Sequence, residues 1–218
     1  MRCLRALAAA ASMVLAARAA VAQVGHAPGH SPYRDIRKGH SITGMFGHIS
    51  GNGGVFGVAP HDGYSYGIRY DIKNGSPIQI GIGFARADLE RLIFDPSIPP
   101  ENRTSVPVKQ AVSFAEFNLA FNLTGGKSWH RLAPFIGGTI GMAFPSLTAE
   151  DTSGFDFGHK VYFAPAVGMR IFFTERLHVR AEARGTFWKV TYPAAFGHGE
   201  EWTTTPWLLI GLGYSFSP

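Results

Sequence analysis

Cysteine is all but missing from this chain. Cys3 stands alone among 218 residues, too little for a disulfide framework or a cysteine-built zinc site. Long apolar runs are missing as well. Beyond residue 22 nothing approaches the roughly 18 consecutive apolar residues of a membrane-crossing helix. A surplus of one charge sign is absent too, once the N-terminus is set aside.

That N-terminus reads as a targeting segment. Arg2 and Arg5 precede the apolar run from Ala6 to Ala17, and Ala20-Val21-Ala22 gives a small-x-small cleavage site before Gln23, the pattern of a cleaved secretory signal over residues 1–22. Cys3 leaves with it, so the expected mature chain has no thiol, and export is supported by the signal rather than by cysteine usage. Arg2, Arg5 and Arg18 leave too. Twenty basic residues become 17 against 15 acidic ones, and the net charge falls from +5 to +2. The high isoelectric point is therefore no nucleic-acid footprint, and no nucleic-acid partner is expected.

What is present is alternation. Residues 64–73 set Tyr64, Tyr66, Ile68, Tyr70 and Ile72 against Ser65, Gly67, Arg69, Asp71 and Lys73, a period of two that puts the sets on opposite faces of a strand. Eight such stretches run from about His40 to Phe216, near 40–50, 64–73, 78–85, 109–123, 132–144, 159–173, 177–190 and 206–216. The first alternates poorly. The gaps alternate long and short: 51–63, 86–108, 145–158 and 191–205 against 74–77, 124–131 and 174–176. Residues 23–39, with Pro28, Pro32, Arg34, Arg37 and Lys38, read as an exposed N-terminal lead. The expected organisation is a signal over 1–22, a periplasmic lead over 23–39 and one barrel over 40–218.

Alternation alone also fits a soluble barrel with an apolar inside. Three features favour the reverse. The non-apolar face is rich in Gly and Ala in the third, fifth, sixth and eighth stretches, which suits a narrow lumen and wastes strand propensity on a solvated face. Arg69, Glu116, Arg170, Arg180, Glu182 and Arg184 sit within strands, where they can pair across such a lumen. The chain also ends in an apolar strand. An apolar outside and a wet inside make the expected fold all-β, an eight-stranded antiparallel up-and-down transmembrane β-barrel.

Three segments, Ala133-Pro-Phe-Ile-Gly-Gly-Thr-Ile-Gly141, Val167-Gly-Met-Arg-Ile-Phe-Phe-Thr-Glu-Arg-Leu-His-Val-Arg-Ala-Glu182 and Gly211-Leu-Gly-Tyr-Ser-Phe216, carry a resemblance to the OmpA/OmpX-type family of small outer-membrane barrels, across about residues 40–216. The resemblance implies an outer-membrane address in a Gram-negative-type bacterium, with both termini and the short turns in the periplasm and the long loops outside. It implies three partners: outer-membrane lipid, lipopolysaccharide and the barrel-assembly machinery, which reads a terminal aromatic residue. Here Ser217 and Pro218 follow Phe216, a departure from that pattern. Ten of the 15 acids lie in the long connections, and Arg34, Arg37, Lys38, Lys127, Arg131 and Arg176 on the other side.

Two groups of residues are candidates for chemistry. Arg69, Glu116, Arg170, Arg180, Glu182 and Arg184 form a lumen polar network, either a selectivity element of a small pore or transporter or a salt-bridged plug, the reading favoured by the narrowness of eight strands. Phe46-Gly-His48-Ile-Ser50 has the His-x-Ser spacing of outer-membrane lipid A deacylases. Alternation puts His48 and Ser50 on one face, where the imidazole can activate the hydroxyl, and Asp62 opens the next strand and can orient His48. Gly51 stands where that family has Asn, and the motif falls in a different strand. The competing reading is a polar rim. His26, His30, His40 and His48 are too spread for a zinc site. No metal, no cofactor and no enzymatic activity are expected. The expected role is structural or interactive, with four long loops exposed to an unidentified ligand.

Overall fold

The computed structural model describes residues 31–73, 77–99, 103, 107–146, 151 and 154–217. The expected signal, the turn at 74–76, His26 and His30, Glu101 and Glu150 lie outside them. A short strand β1 (Tyr33–Asp35) precedes the first long one, β2 (His40–Ile49). Then come β3 (Asp62–Lys73), β4 (Ile78–Arg91), β5 (Val108–Asn122), the short β6 (Lys127–Trp129), β7 (Leu132–Pro145), β8 (Lys160–Phe172), β9 (Leu177–Thr191) and β10 (Glu200–Phe216).

The eight long strands form one antiparallel sheet in the order β2-β3-β4-β5-β7-β8-β9-β10. β10 then pairs back onto β2, from Trp207 opposite Ile49 to Phe216 opposite His40. Closure leaves no sheet edge among them, which is what a barrel needs where no water can satisfy a bare backbone. The poorly alternating first stretch is a regular strand after all, with Ser41, Thr43, Met45 and Ile49 buried inside and Ile42 and Phe46 outside.

The inside-out arrangement is direct. Ile140 and Leu208 face outward at 63 % exposure, while Arg69 and Glu182 face inward at 2 % and 4 %. Glycine lines the inner wall where large groups cross it. A Cβ at Gly168 would run into the Phe135 ring, one at Gly213 into the His178 ring, and one at Gly81 into the Asp71 carboxylate.

Strands outrun the sequence expectation at the long-loop end. A tilted strand needs about 9–11 residues to cross the hydrocarbon, whereas β4 has 14 and β10 has 17. Residues 62–63, 86–91 and 200–205, expected as loop, continue their strands, so Asp62, Asp88, Glu90, Glu200 and Glu201 stand on strands. On β4 the physical reason is that the alternation changes sign. Arg86, Asp88 and Glu90 point outward and Ala87 and Leu89 inward, which reads as loop to an eye following an outward apolar face.

Part of the N-terminal lead is strand as well. Tyr33–Asp35 pairs antiparallel with Lys127–Trp129, and the Lys73 ammonium donates to the carbonyls of Ile36 at 2.7 Å and Gly126 at 3.0 Å. Side chains 33–35 stay exposed, but the backbone is held.

Candidate functional site

Two sites are built by this fold, one in the lumen and one on the outer rim. In the lumen, β9 contributes His178, Arg180, Glu182 and Arg184 at alternate positions, all buried. Glu182 is the hub. It accepts from Arg180 Nε at 2.7 Å, Arg184 Nε at 2.5 Å and Arg69 Nη1 at 3.1 Å. Glu116, reaching in from β5, accepts from Arg184 Nη1 and from the Tyr162 hydroxyl, each at 2.8 Å. Arg69 also donates to Asn118 Oδ1 at 2.8 Å, which accepts from Thr139 Oγ1 at 2.6 Å.

Five of the six residues singled out in the sequence meet in this network. Arg170 stands apart nearer the short-turn end, donating to Asn122 Oδ1 at 2.5 Å and lying 5.6 Å from the Phe172 ring. The sequence reading missed Asp71, 4.0 Å from Arg180, and the neutral members Asn118, Asn122, Thr139 and Tyr162. Asp71 was legible, since it shares a face with Arg69. The neutral ones carry no signal until a charge is known to lie beside them.

Little empty space is left around these groups. Two voids beside the network, one at Arg69, Glu116 and Arg184 and one at Asp71, Arg180 and Glu182, hold about 10 Å³ each, room for about one water apiece. Rings fill the lumen above. Arg184 lies 5.0 Å from the Trp207 ring, and Trp207 donates its indole N–H to Ser65 Oγ at 2.8 Å. Phe114 packs against Trp207, Trp188 and Tyr162. Val58, Phe155, Phe157 and Phe196, from the connections, close the stack. Over it the Arg91 guanidinium meets Asp151 at 2.5 Å, with both side chains buried.

On the outer rim, His48 points away from the lumen, as Phe46 does one step below it. Its Nε2 lies 3.1 Å from Asp62 Oδ1, and both side chains are about half exposed. The Tyr64 ring meets the imidazole edge-on at 5.0 Å. Ser50 lies one residue past the end of β2. Its N–H donates to the Pro206 carbonyl at 2.9 Å, and among the described residues its hydroxyl makes no hydrogen bond to His48. The structure therefore joins His48 to Asp62 and leaves Ser50 beside them. Among the described residues no three His, Cys, Asp or Glu side chains are grouped to hold a metal.

With this geometry in view, comparison with solved structures is informative. Neisserial surface protein A superposes with a TM-score of 0.57 at 10 % identity, covering 81 % of this chain and 97 % of that one. The outer membrane protein OprG of Pseudomonas aeruginosa superposes with 0.56 at 13 % identity, covering 83 % and 97 %. The fold is that of a small outer-membrane β-barrel. No family model matches the chain, and no curated protein does either. The structural neighbours agree with the OmpA/OmpX-type resemblance as to fold, at identities that carry the architecture alone.

Proposed function

We propose that this is an outer-membrane protein with a structural and interactive role: a closed barrel set in lipid, with its long connections outside the cell as a fixed surface for partners. The observation that carries the reading is the doubly filled lumen, a salt-bridged layer below and a packed aromatic layer above. Two filled layers, with voids of only about 10 Å³ beside the charged one among the described residues, suit an anchor that presents loops better than a small pore or transporter. Outward Ile, Leu, Val and Phe bury in lipid, closure satisfies the backbone, and recognition falls to the loops. The partners expected of such a protein are outer-membrane lipid, lipopolysaccharide, the barrel-assembly machinery and a loop ligand. The test is conductance of the purified barrel in planar bilayers, with an unboiled band that runs ahead of the boiled one as proof of folding. A flat baseline is expected, and discrete steps would move the reading to a pore.

One observation favours a second reading, a lipid A hydrolase at the outer rim. The His48–Asp62 contact at 3.1 Å is the base-and-orienter pair that an activated serine needs. With the barrel seated as proposed, the pair stands on the outer face near the long-loop end, where an outer-leaflet lipid passes. Loss of one lipopolysaccharide acyl chain in cells making the wild type, and not in cells making His48→Ala, is what this reading predicts. Identical lipid A from both strains removes it.

A further inference from the structure

The outer face of the barrel is studded with large apolar side chains, interrupted at a few small residues. Gly44, outward on β2, is flanked along its strand by Ile42 and Phe46, and across the strands by Ile68 and Leu212. A Cβ built there meets nothing within 4 Å. The missing side chain opens a groove of about 860 Å³ on the lipid-facing surface, walled by Phe46, Ile68, Phe84, Ile210 and Leu212. Its lining is apolar along most of its course. At the end nearer the long loops it reaches Arg86 and Ser113, which are cross-strand partners on β4 and β5.

Arg86 is exposed and has no ion-pair or hydrogen-bond partner among the described residues. A guanidinium left bare where an apolar barrel face meets the headgroup region is a phosphate site in waiting, because it offers a planar fork of donors in a medium that screens charge poorly. Asp88, the acid two residues further along the face, stands across from Tyr64 and outside the groove lining. Within hydrocarbon the hydrophobic effect does not prefer one chain contact over another. Shape and charge do.

We propose that this groove holds one acyl chain of lipid A, with a phosphate of its headgroup on Arg86 and Ser113. The assignment rests on the outer-membrane placement above, since the Arg86 end then lies in the outer leaflet, where the phosphorylated lipid is lipid A. It does not depend on His48 chemistry. The bound lipid is a resident, whether or not the rim above it cleaves anything.

The test uses the full chain refolded in detergent, its closure checked by the unboiled band, and titrated with lipid A and separately with phosphatidylglycerol. Native mass spectrometry counts the lipids retained per barrel. The wild type is expected to keep one lipid A in preference to phosphatidylglycerol. Arg86→Gln leaves the groove and removes the charge, and should weaken retention about fivefold, the worth of one basic side chain at an anionic membrane surface. Gly44→Phe fills the groove floor and should weaken it by a comparable factor. Gly138→Phe is the control: Gly138 also faces outward, where a Cβ would make only an ordinary contact with the Ala164 carbonyl oxygen at 3.8 Å, and β7 lies four strands from β2 either way round the ring. Equal retention by all four proteins would reduce the lipid to an unselective annulus and overturn the proposal, as would equal retention of the two lipids by the wild type. Cell fractionation reads the placement separately. A barrel that binds lipid A selectively in detergent but is absent from the outer-membrane fraction would sink the placement and leave the groove standing.

Discussion

The barrel has two storeys built from the same strands by opposite rules. On the lower part of β9, Val179, Ala181 and Ala183 face out while His178, Arg180, Glu182 and Arg184 face in. On its upper part Lys189 and Thr191 face out while Trp188 and Val190 are buried inside. β4 reverses in the same way, from Ile82 and Phe84 outside and Gly81 and Gly83 inside to Arg86, Asp88 and Glu90 outside and Ala87 and Leu89 inside. The lower storey is a membrane protein, with lipid satisfying its outer face. The upper storey is built like a soluble β-barrel with a hydrophobic core, rising from the headgroup region at the level of Arg86 into water. The surrounding solvent sets the polarity, and the strand only keeps the period. The two storeys should therefore fail differently when cut.

The largest effect is expected in the lower storey. Glu182 is the shared acceptor of three arginines, and Glu182→Ala leaves Arg69, Arg180 and Arg184 crowded and buried with Glu116 and Asp71 as their remaining carboxylates. Breaking a buried pair by deleting one partner costs about 3–5 kcal/mol. That should appear as a lower urea midpoint for loss of the compact unboiled band. Glu182→Gln, which keeps the acceptor oxygen, should lose less.

An upper-storey cut should behave like a cut in a soluble core. Leu89 is fully buried among the apolar residues of that core. Leu89→Ala should cost about 3 kcal/mol, the middle of the range for core leucines. The discriminating readout is which part opens. Limited proteolysis of the folded Leu89→Ala barrel is expected to cut the long connections first while the lower barrel stays closed. A Leu89→Ala chain in which the whole barrel opens at once would show that the storeys form a single cooperative unit.

Much of this was legible in the sequence because lipid-facing strands leave a one-dimensional trace. The existence of all eight long strands, the inward and outward sets of those after the first, and most of the inward charges could be read from a period of two. Part of the upper storey was not legible as strand: β4 keeps alternating there with the apolar residues on the other side, and residues 200–205 of β10, with Trp202 as their one apolar side chain, show no apolar face to follow. The β6–β7 hairpin was hidden for a different reason. Trp129 pairs with Leu132 across His130 and Arg131, which both take positive φ, 45° and 69°, the requirement of a mirror-image two-residue turn usually met by Asn-Gly. Nothing in a His-Arg pair announces that turn, so the docking of β1 on β6 was equally hidden. At the rim, spacing brought His48 and Asp62 to the same neighbourhood on paper. That their side chains touch while Ser50 keeps its distance depends on where β2 ends.

The smallest effect sharpens the comparison at the top of the upper storey, where a polar clasp holds the connections to the core. Glu201 accepts from the Val55 N–H at 2.8 Å and from the Tyr192 hydroxyl. Burial first, and then the Glu201 hydrogen bond, hold the Tyr192 phenol above its ordinary value of 10.0. A raised value means that the folded chain keeps this proton more tightly than the unfolded chain does. The clasp's contribution is then complete below about pH 10, the unfolded tyrosine value, and is lost as the pH climbs above it. Tyr192→Phe removes the hydroxyl and its titration together. At pH 7 it should cost about 1 kcal/mol, the usual net worth of one such bond, measured as a small fall in urea midpoint. Near pH 11 the wild type should have given up part of the same stabilisation, so the two midpoints should draw together. A gap that holds constant from pH 7 to 11 would mean that the Glu201–Val55 bond carries the clasp and that the phenol is a bystander.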